Sequence, residues 1–537
     1  MGEQTDIIVV GSGPAGAQAC QTLVEKGWNV LLVDIGYQSA YKNELSASSF
    51  LDLREQDSQA NHILGEQYEA VDWGKTQTGA QLTPARKHVV KDQEAYFPMD
   101  SSSFQPLETA AHGGLGAAWG AGSCVFSASE LSRMGLEEGL LPEHYQTIAD
   151  RIGLTTPDAS IAPIMMHEVQ PSEASITMDE NHQTLWKRYE GKAGKLAQKG
   201  FHLGRPSLAA ITSDRDGRKA LAYDELAFYT DRDQSVYRPA MTIEALLAKT
   251  NFRYLSNCLV KRFDEDDSGA SIEYINTENG ARERVSAKRI MLAAGALGSA
   301  RIVARSRSFF DQKIPLLSND YAYYVCLMPS RLGKVNRANR LSLAQLSLFY
   351  PYQNPTDIPS MGSFYTYRSL MLFRSLKEVP LGFRTAIPLL QYLTPAMMIM
   401  GLHHPDEASP DKYFTLTKED HPSKGDTAEF HYVQSTAEQA KIAQREKAVK
   451  RMLGKLGCFV LKKVKPTAGA SIHYAGTIPY GDDSWGLASD GRLQGSRAIY
   501  VGDSAGFRFL PAKGLTLTIM ANAHRTALAI HQSLTKA

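Results

Sequence analysis

Six residues, Gly11-Ser12-Gly13-Pro14-Ala15-Gly16, directly follow a continuous apolar run, Ile7–Val10. Glycine in the first place permits a tight turn. In the third it lets the backbone approach a pyrophosphate, and in the sixth it lets a helix pack close to a strand. An anion is favoured where that helix starts, because its first N–H groups are free and its dipole points outward. Asp34 ends the next apolar run, Val30–Val33, where an acid binds ribose hydroxyls. Together these residues predict a bound dinucleotide. A second carboxylate, in Gly502-Asp503, follows the run Ala498–Val501 near the other end of the chain. There it can hold ribityl hydroxyls while a following helix turns its N-terminus toward a flavin pyrimidine ring, which favours FAD over NAD. Among the fourteen histidines, His473 is the candidate base. Taking the hydroxyl proton of an alcohol lets hydride leave the carbon for flavin N5, and imidazole titrates near the working pH. The competing reading of His473 is a hydrogen-bonded core histidine.

The elements that must position these groups follow from apolar patterning. Ile7–Val10 and Val30–Val33 are continuous rather than alternating, as suits strands buried on both faces of a parallel sheet. Ala15–Lys26 between them has helical character, completing a βαβ unit. The stretch from about Ser39 to Ser103 reads as loops and short helices. In a second block, Ser235–Ser306, strands are predicted at Phe252–Tyr254, Leu259–Phe263, Ser271–Tyr274 and Arg289–Ala293, with a turn at Glu278-Asn279-Gly280. A last block, Ser471–Ala537, holds the Ala498–Val501 strand and a terminal helix from about Thr516. Ala386–Leu402 is strongly apolar but interrupted by Pro388, Gln391 and Pro395. Core or cavity wall is favoured there over a transmembrane helix or a membrane-surface patch.

Length and composition narrow the function classes. A chain of 537 residues exceeds what one core usually holds, so two joined domains are expected. Fifty-eight basic against fifty-seven acidic residues argue against nucleic acid as the main partner. Lys462, Lys463 and Lys465 form the one candidate basic patch, with a solvated surface run as the favoured reading. Cys20, Cys124, Cys258, Cys326 and Cys458 are widely spaced and odd in number. They suggest neither a metal site nor a disulfide framework, and fit a reducing, cytoplasmic setting. The N-terminus has no basic segment followed by an apolar one, so a cleaved signal is not expected. Myristoylation at Gly2 fails because the sixth residue is Asp6.

In four separated places, in the same order, the chain resembles the glucose–methanol–choline (GMC) flavin oxidoreductases. These are Gly11–Gly16, the segment Gly113-Gly114-Leu115-Gly116-Ala117-Ala118-Trp119-Gly120-Ala121, the segment Ala293-Ala294-Gly295-Ala296-Leu297-Gly298-Ser299, and the end from His473-Tyr474-Ala475-Gly476-Thr477 through Asp503 to Thr516-Leu517-Thr518. Gly122–Ser235 and Arg307–Lys465 carry no clear family signal.

The resemblance implies an α/β fold: a Rossmann-like FAD domain from 1–130, 236–307 and 466–537, and a substrate or cap domain, an antiparallel sheet with helices, from 131–235 and 308–465. It implies a flavoprotein dehydrogenase with Val260 meeting the adenine end of FAD through its backbone. Cofactor contacts are expected from Gly11, Gly13, Gly16, Asp34, Gly113, Gly114, Trp119, Gly120, Val260, Ala294, Gly295, Gly502, Asp503 and Thr516. Where some members carry a histidine for covalent attachment this chain has Ala118, so non-covalent FAD is expected, with His112 a weak substitute. The family's second His or Asn aligns with Gly514, which has no side chain; Lys513 and Arg508 are the nearby candidates to replace it. The leading expectation is FAD-dependent oxidation of a hydroxyl-bearing small molecule with His473 as base. Alternatives are another flavin chemistry (desaturation, decarboxylation or redox-neutral rearrangement) and a non-catalytic FAD-binding subunit. Aromatic and methionine residues between Leu341 and Leu402 hint at an apolar or polycyclic substrate, or at plain core.

Overall fold

A computed structural model describes residues 5–39, 46, 48–49, 52–53, 83–137, 139–334, 340–366, 381–418, 426–482 and 484–536. Much of the expected loop region before Ser103, and residues 367–380 of the aromatic-rich stretch, lie outside the described residues.

A five-stranded parallel sheet forms the centre, in the order Ile499–Val501, Arg289–Leu292, Ile7–Val10, Val30–Val33, Phe252–Leu255. All four residues of Ile7–Val10 are buried. Such a run needs cover on both faces, and it has it. Ile7 and Val9 pack with the helices Pro14–Glu25 and Thr516–Thr535. Ile8 and Val10 face the larger core shared with the antiparallel strands Cys258–Asp266 and Gly269–Asn276. A third strand of that small sheet, Arg282–Ala287, was not expected from sequence. Its mostly exposed residues, Arg-Glu-Arg-Val-Ser-Ala, pair at an edge without an apolar stripe to reveal them.

A six-stranded antiparallel sheet stands against this centre, in the order Phe459–Val464, Asp320–Leu327, Met397–His404, Ser360–Thr366, Leu346–Tyr350, His202–Gly204. Alternation gives its strands two faces. Ala322, Tyr324, Cys326, Met398, Met400 and Leu402 pack with Val449, Met452 and Leu453 of the helix Thr436–Lys455. Tyr321, Tyr323, Tyr365 and His403 share the other face and are only half-buried. The run Ala386–Leu402 divides at Pro395: a helix, Phe383–Leu393, ends before it and the central strand begins after it. Among the described residues no helix is long and apolar enough to cross a membrane.

The two halves interleave more than a division by segments suggests. Met99–Asp100 pairs with Ala428–Tyr432, Phe509–Leu510 with Asp406–Glu407, and Tyr474–Ala475 with Leu317–Ser318. Of the candidate basic patch, Lys463 is paired with Glu446 and Lys465 with Asp320. All five cysteines are buried and unbridged.

Candidate active site

The strands of the parallel sheet end at a cavity of about 310 Å³ that runs from Asp34 to His473. Gly11, at φ +101°, makes the turn that opens it, in a conformation that an L side chain rarely adopts. Gly13 caps the helix Pro14–Glu25 and supplies no side chain to its first N–H groups, which leaves them for a ligand. A Cβ built on Gly13 would meet only the Gly114 Cα, at 3.9 Å, so an open cradle lies above it. Its φ of −64° is ordinary, so a side chain there would bring no backbone strain.

At one end, burial pushes the Asp34 carboxyl up to about 7 against the lowering pull of hydrogen bonds from Ser12 and Ile35. At the other, burial pushes Asp503 up to about 6, although Ser299 Oγ donates to it at 2.6 Å and the Ala505 N–H at 2.9 Å. Among the described residues neither carboxyl has an ion-pair partner. A ligand bearing hydroxyl donors at both ends and an anion between them suits this arrangement, as FAD does. Val260, Gly114, Trp119, Gly120, Ala294, Gly295 and Thr516 also line the cavity.

Three expected cofactor contacts are placed behind the wall instead. Gly16 lets helix meet strand, since a Cβ there would fall 1.8 Å from the Gly11 carbonyl oxygen. A Cβ on Gly502 would fall 1.9 Å from Met291 Cε. The Gly113 N–H donates to Ser12 Oγ at 2.9 Å. Gly16 and Gly502 thus shape the site through packing, and Gly113 through its hydrogen bond to Ser12. His112 lies outside the cavity lining, with Nδ1 3.1 Å from the Tyr254 hydroxyl.

His473 lines the other end of the cavity. Asn319 holds it. The Asn319 amide NH₂ donates to the carbonyls of His404 at 2.8 Å and Pro511 at 3.0 Å, which turns its oxygen toward His473 Nδ1 at 2.9 Å. A carbonyl oxygen only accepts, so the proton of the imidazole sits on Nδ1 and Nε2 keeps its lone pair. Burial lowers the His473 pKa to about 4, so the ring is neutral near pH 7. The preceding residue, Ile472, has φ +60°. For a β-branched residue that conformation costs about 1–3 kcal/mol and is held only by its surroundings. Here they include Ser471, whose Oγ accepts from the His473 N–H and lies 3.1 Å from Ser318 Oγ.

Gly514 cannot host the second polar group without movement, since a Cβ would sit 2.8 Å from the Gly122 carbonyl oxygen. Neither suggested cation replaces it. Arg508 is exposed. Lys513, 2% exposed, is paired at 2.8 Å with Glu130, 1% exposed, and donates to the Val125 carbonyl. Lys513→Met should therefore destabilise the fold by about 3–5 kcal/mol, because it strands a buried carboxylate. Flavin reduction per bound FAD should be unchanged. Denaturation followed alongside flavin kinetics separates the two effects.

The sequence reading missed Asn319, His403, Tyr321, Tyr323 and Tyr365. The His403 ring stacks on His473 with centroids 4.9 Å apart and 22° between planes, and Tyr321 stacks behind it at 4.2 Å. The available signals were polar aromatics at alternate positions, Tyr321 and Tyr323, and, in a separate segment, the His403-His404 pair.

No family model matches the chain. A curated 6'''-hydroxyparomomycin C oxidase from Streptomyces lividus is 26% identical over 316 residues, covering 56% of this chain and 50% of that protein. The chain thus spans about half the length of this curated relative. A solved pyridoxine 4-oxidase from Mesorbium loti has the same fold, with a TM-score of 0.60 and 16% identity across 98% of this chain and 99% of that one.

Proposed function

We propose that this chain, a divergent relative of the glucose–methanol–choline flavin oxidoreductases, is an FAD-dependent enzyme that oxidises the hydroxyl of a small molecule with His473 as base. The observation that carries this reading is His473 itself. It is a neutral imidazole whose Nε2 lone pair is fixed by Asn319 at the end of a cavity suited to FAD. A curated relative named as an oxidase supports it, and a solved oxidase shares the fold. Residues 1–130, 236–307 and 466–537 form the cofactor-binding unit in this account, and 131–235 with 308–465 the substrate unit.

Bound non-covalently, FAD supplies the two-electron acceptor for hydride leaving the carbinol carbon. The chain does the rest. Gly11, Gly13 and the start of the helix Pro14–Glu25 hold the pyrophosphate, while Asp34 and Asp503 take hydroxyls of the two sugar portions. His473 Nε2 receives the hydroxyl proton as the carbonyl forms, and the Asn319 oxygen steadies the Nδ1–H as positive charge develops on the ring. The half-buried Tyr321 stacks on His403, whose ring stacks in turn on His473.

This assignment gives a pH dependence. With the His473 pKa lowered to about 4, protonation removes the lone pair only below that value. Flavin reduction by alcohol should hold level from neutral pH down to about pH 5 and fall as pH passes through about 4. Rapid-mixing kinetics across this range, with the FAD content checked at each pH, makes the measurement.

The reading as a whole is tested by anaerobic addition of primary alcohols to the FAD-loaded protein. Benzyl alcohol, pyridoxine and a 6'''-hydroxylated aminoglycoside make a suitable panel. The expected result is loss of flavin colour with at least one alcohol and recovery of its aldehyde. Colour that persists with every alcohol but is lost with a substrate bearing no hydroxyl would favour another flavin chemistry.

A further inference from the structure

We infer that His403, carried by the substrate-domain strand Met397–His404, is a second catalytic imidazole that donates a hydrogen bond to the substrate oxygen beside His473. This rests on the alcohol-oxidising reading of the site and supplies the polar group that Gly514 lacks.

Position 514 is closed to a side chain by the Gly122 carbonyl, and Lys513 is committed to Glu130. The remaining polar ring against His473 comes from across the interface between the two sheets. His403 lies nearly parallel to His473 with ring centroids 4.9 Å apart, which sets their edges side by side, and in this inference the substrate oxygen sits at that common edge. The juxtaposition is built into the backbone. Leu317–Ser318 pairs with Tyr474–Ala475, placing Asn319 beside His473. The next strand, Asp320–Leu327, then pairs Tyr321 with His403. Tyr321 stacks on the far face of His403 at 4.2 Å and fixes the ring from behind. Gly401 leaves room for that tyrosine, since a Cβ there would fall 2.5 Å from the Tyr321 hydroxyl.

The division of labour follows from protonation. Burial and the neighbouring imidazoles His473 and His404 hold the His403 pKa well below its ordinary value, so both rings of the stacked pair are neutral near pH 7. A neutral imidazole carries one N–H and one lone pair. His473 spends its N–H on Asn319 and offers the lone pair, so it takes the hydroxyl proton. His403 offers its N–H, which stabilises the negative charge that gathers on oxygen as that proton leaves and remains donated to the carbonyl product. The proton would end on His473, bound FAD would supply the acceptor for the hydride, and His403 would end as it began.

Acetophenone is the probe, because its carbonyl accepts a hydrogen bond and cannot be oxidised further in this reaction. On the FAD-loaded wild type, the infrared carbonyl stretch of the bound ketone should lie below its value in an apolar solvent. His403→Phe keeps a ring in the stack and removes the donor, so the shift should vanish while the flavin spectrum stays that of the wild type. His403→Asn restores an N–H and should recover part of it. Flavin reduction by the best alcohol of the panel should slow about 10²–10³-fold in His403→Phe, as for loss of one oxyanion donor. A carbonyl shift unchanged in His403→Phe, or no bound and shifted ketone in the wild type, would overturn the inference. Absence of reduction by any alcohol, with the His403-dependent carbonyl shift intact, would instead count against the alcohol-oxidation reading alone.

Discussion

Replacing His473 by alanine should leave FAD bound and slow flavin reduction by alcohol about 10²–10⁴-fold, the range for a lost general base. The cofactor should survive because the groups proposed to hold it, Gly11, Gly13, Asp34 and Asp503, belong to other segments of the wall. The rate should fall because an alcohol hydroxyl remains protonated near pH 7, and the proton acceptor set against it is gone. Asn319→Ala tests how that acceptor is held. Without the amide oxygen, Nδ1 no longer fixes the tautomer, so part of the His473→Ala loss should appear with FAD retained. Imidazole nitrogen shifts read by NMR report the tautomer directly. Reduction at the wild-type rate in His473→Ala would remove the base from this account.

Gly13→Val should abolish FAD loading without unfolding the chain. At several glycines of the site a side chain strikes protein, so a defect confounds folding with binding; Gly11, Gly16 and Gly502 are of that kind. Gly13 differs. The nearest protein atom to its added Cβ is 3.9 Å away and its φ is −64°. A valine there occupies the space over the helix start in which the pyrophosphate would lie, and little else. Retained secondary structure by circular dichroism, with no flavin colour after purification, is the expected pair of results. Full FAD occupancy in the valine variant would contradict the cofactor placement.

What could be read from sequence was the part written in local patterns. Ile7–Val10, Val30–Val33 and the helix from Thr516 are each a contiguous apolar or helical signal, and the structure places them at those residues. Gly11, Asp34 and Asp503 follow such runs, so chemistry and element were visible together. The exposed edge strand Arg282–Ala287 was not, because solvent on its faces asks for no apolar period. Nor was the far half of the candidate active site. Asn319 and His403 reach His473 only through strand pairing between distant segments, which no local spacing encodes. The strain-free backbone at Gly13 and the committed Lys513–Glu130 pair likewise depend on tertiary neighbours.

The central claim is that an alcohol gives hydride to FAD held in this cavity while His473 takes the proton. A single anaerobic turnover tests it most directly, with the aldehyde formed counted against the flavin bleached. The account predicts one aldehyde for each FAD reduced, slower bleaching when the carbinol hydrogens are deuterium, and near loss of bleaching in His473→Ala. Bleaching without aldehyde, or a protein whose colour is released as something other than FAD on acid precipitation, would contradict it.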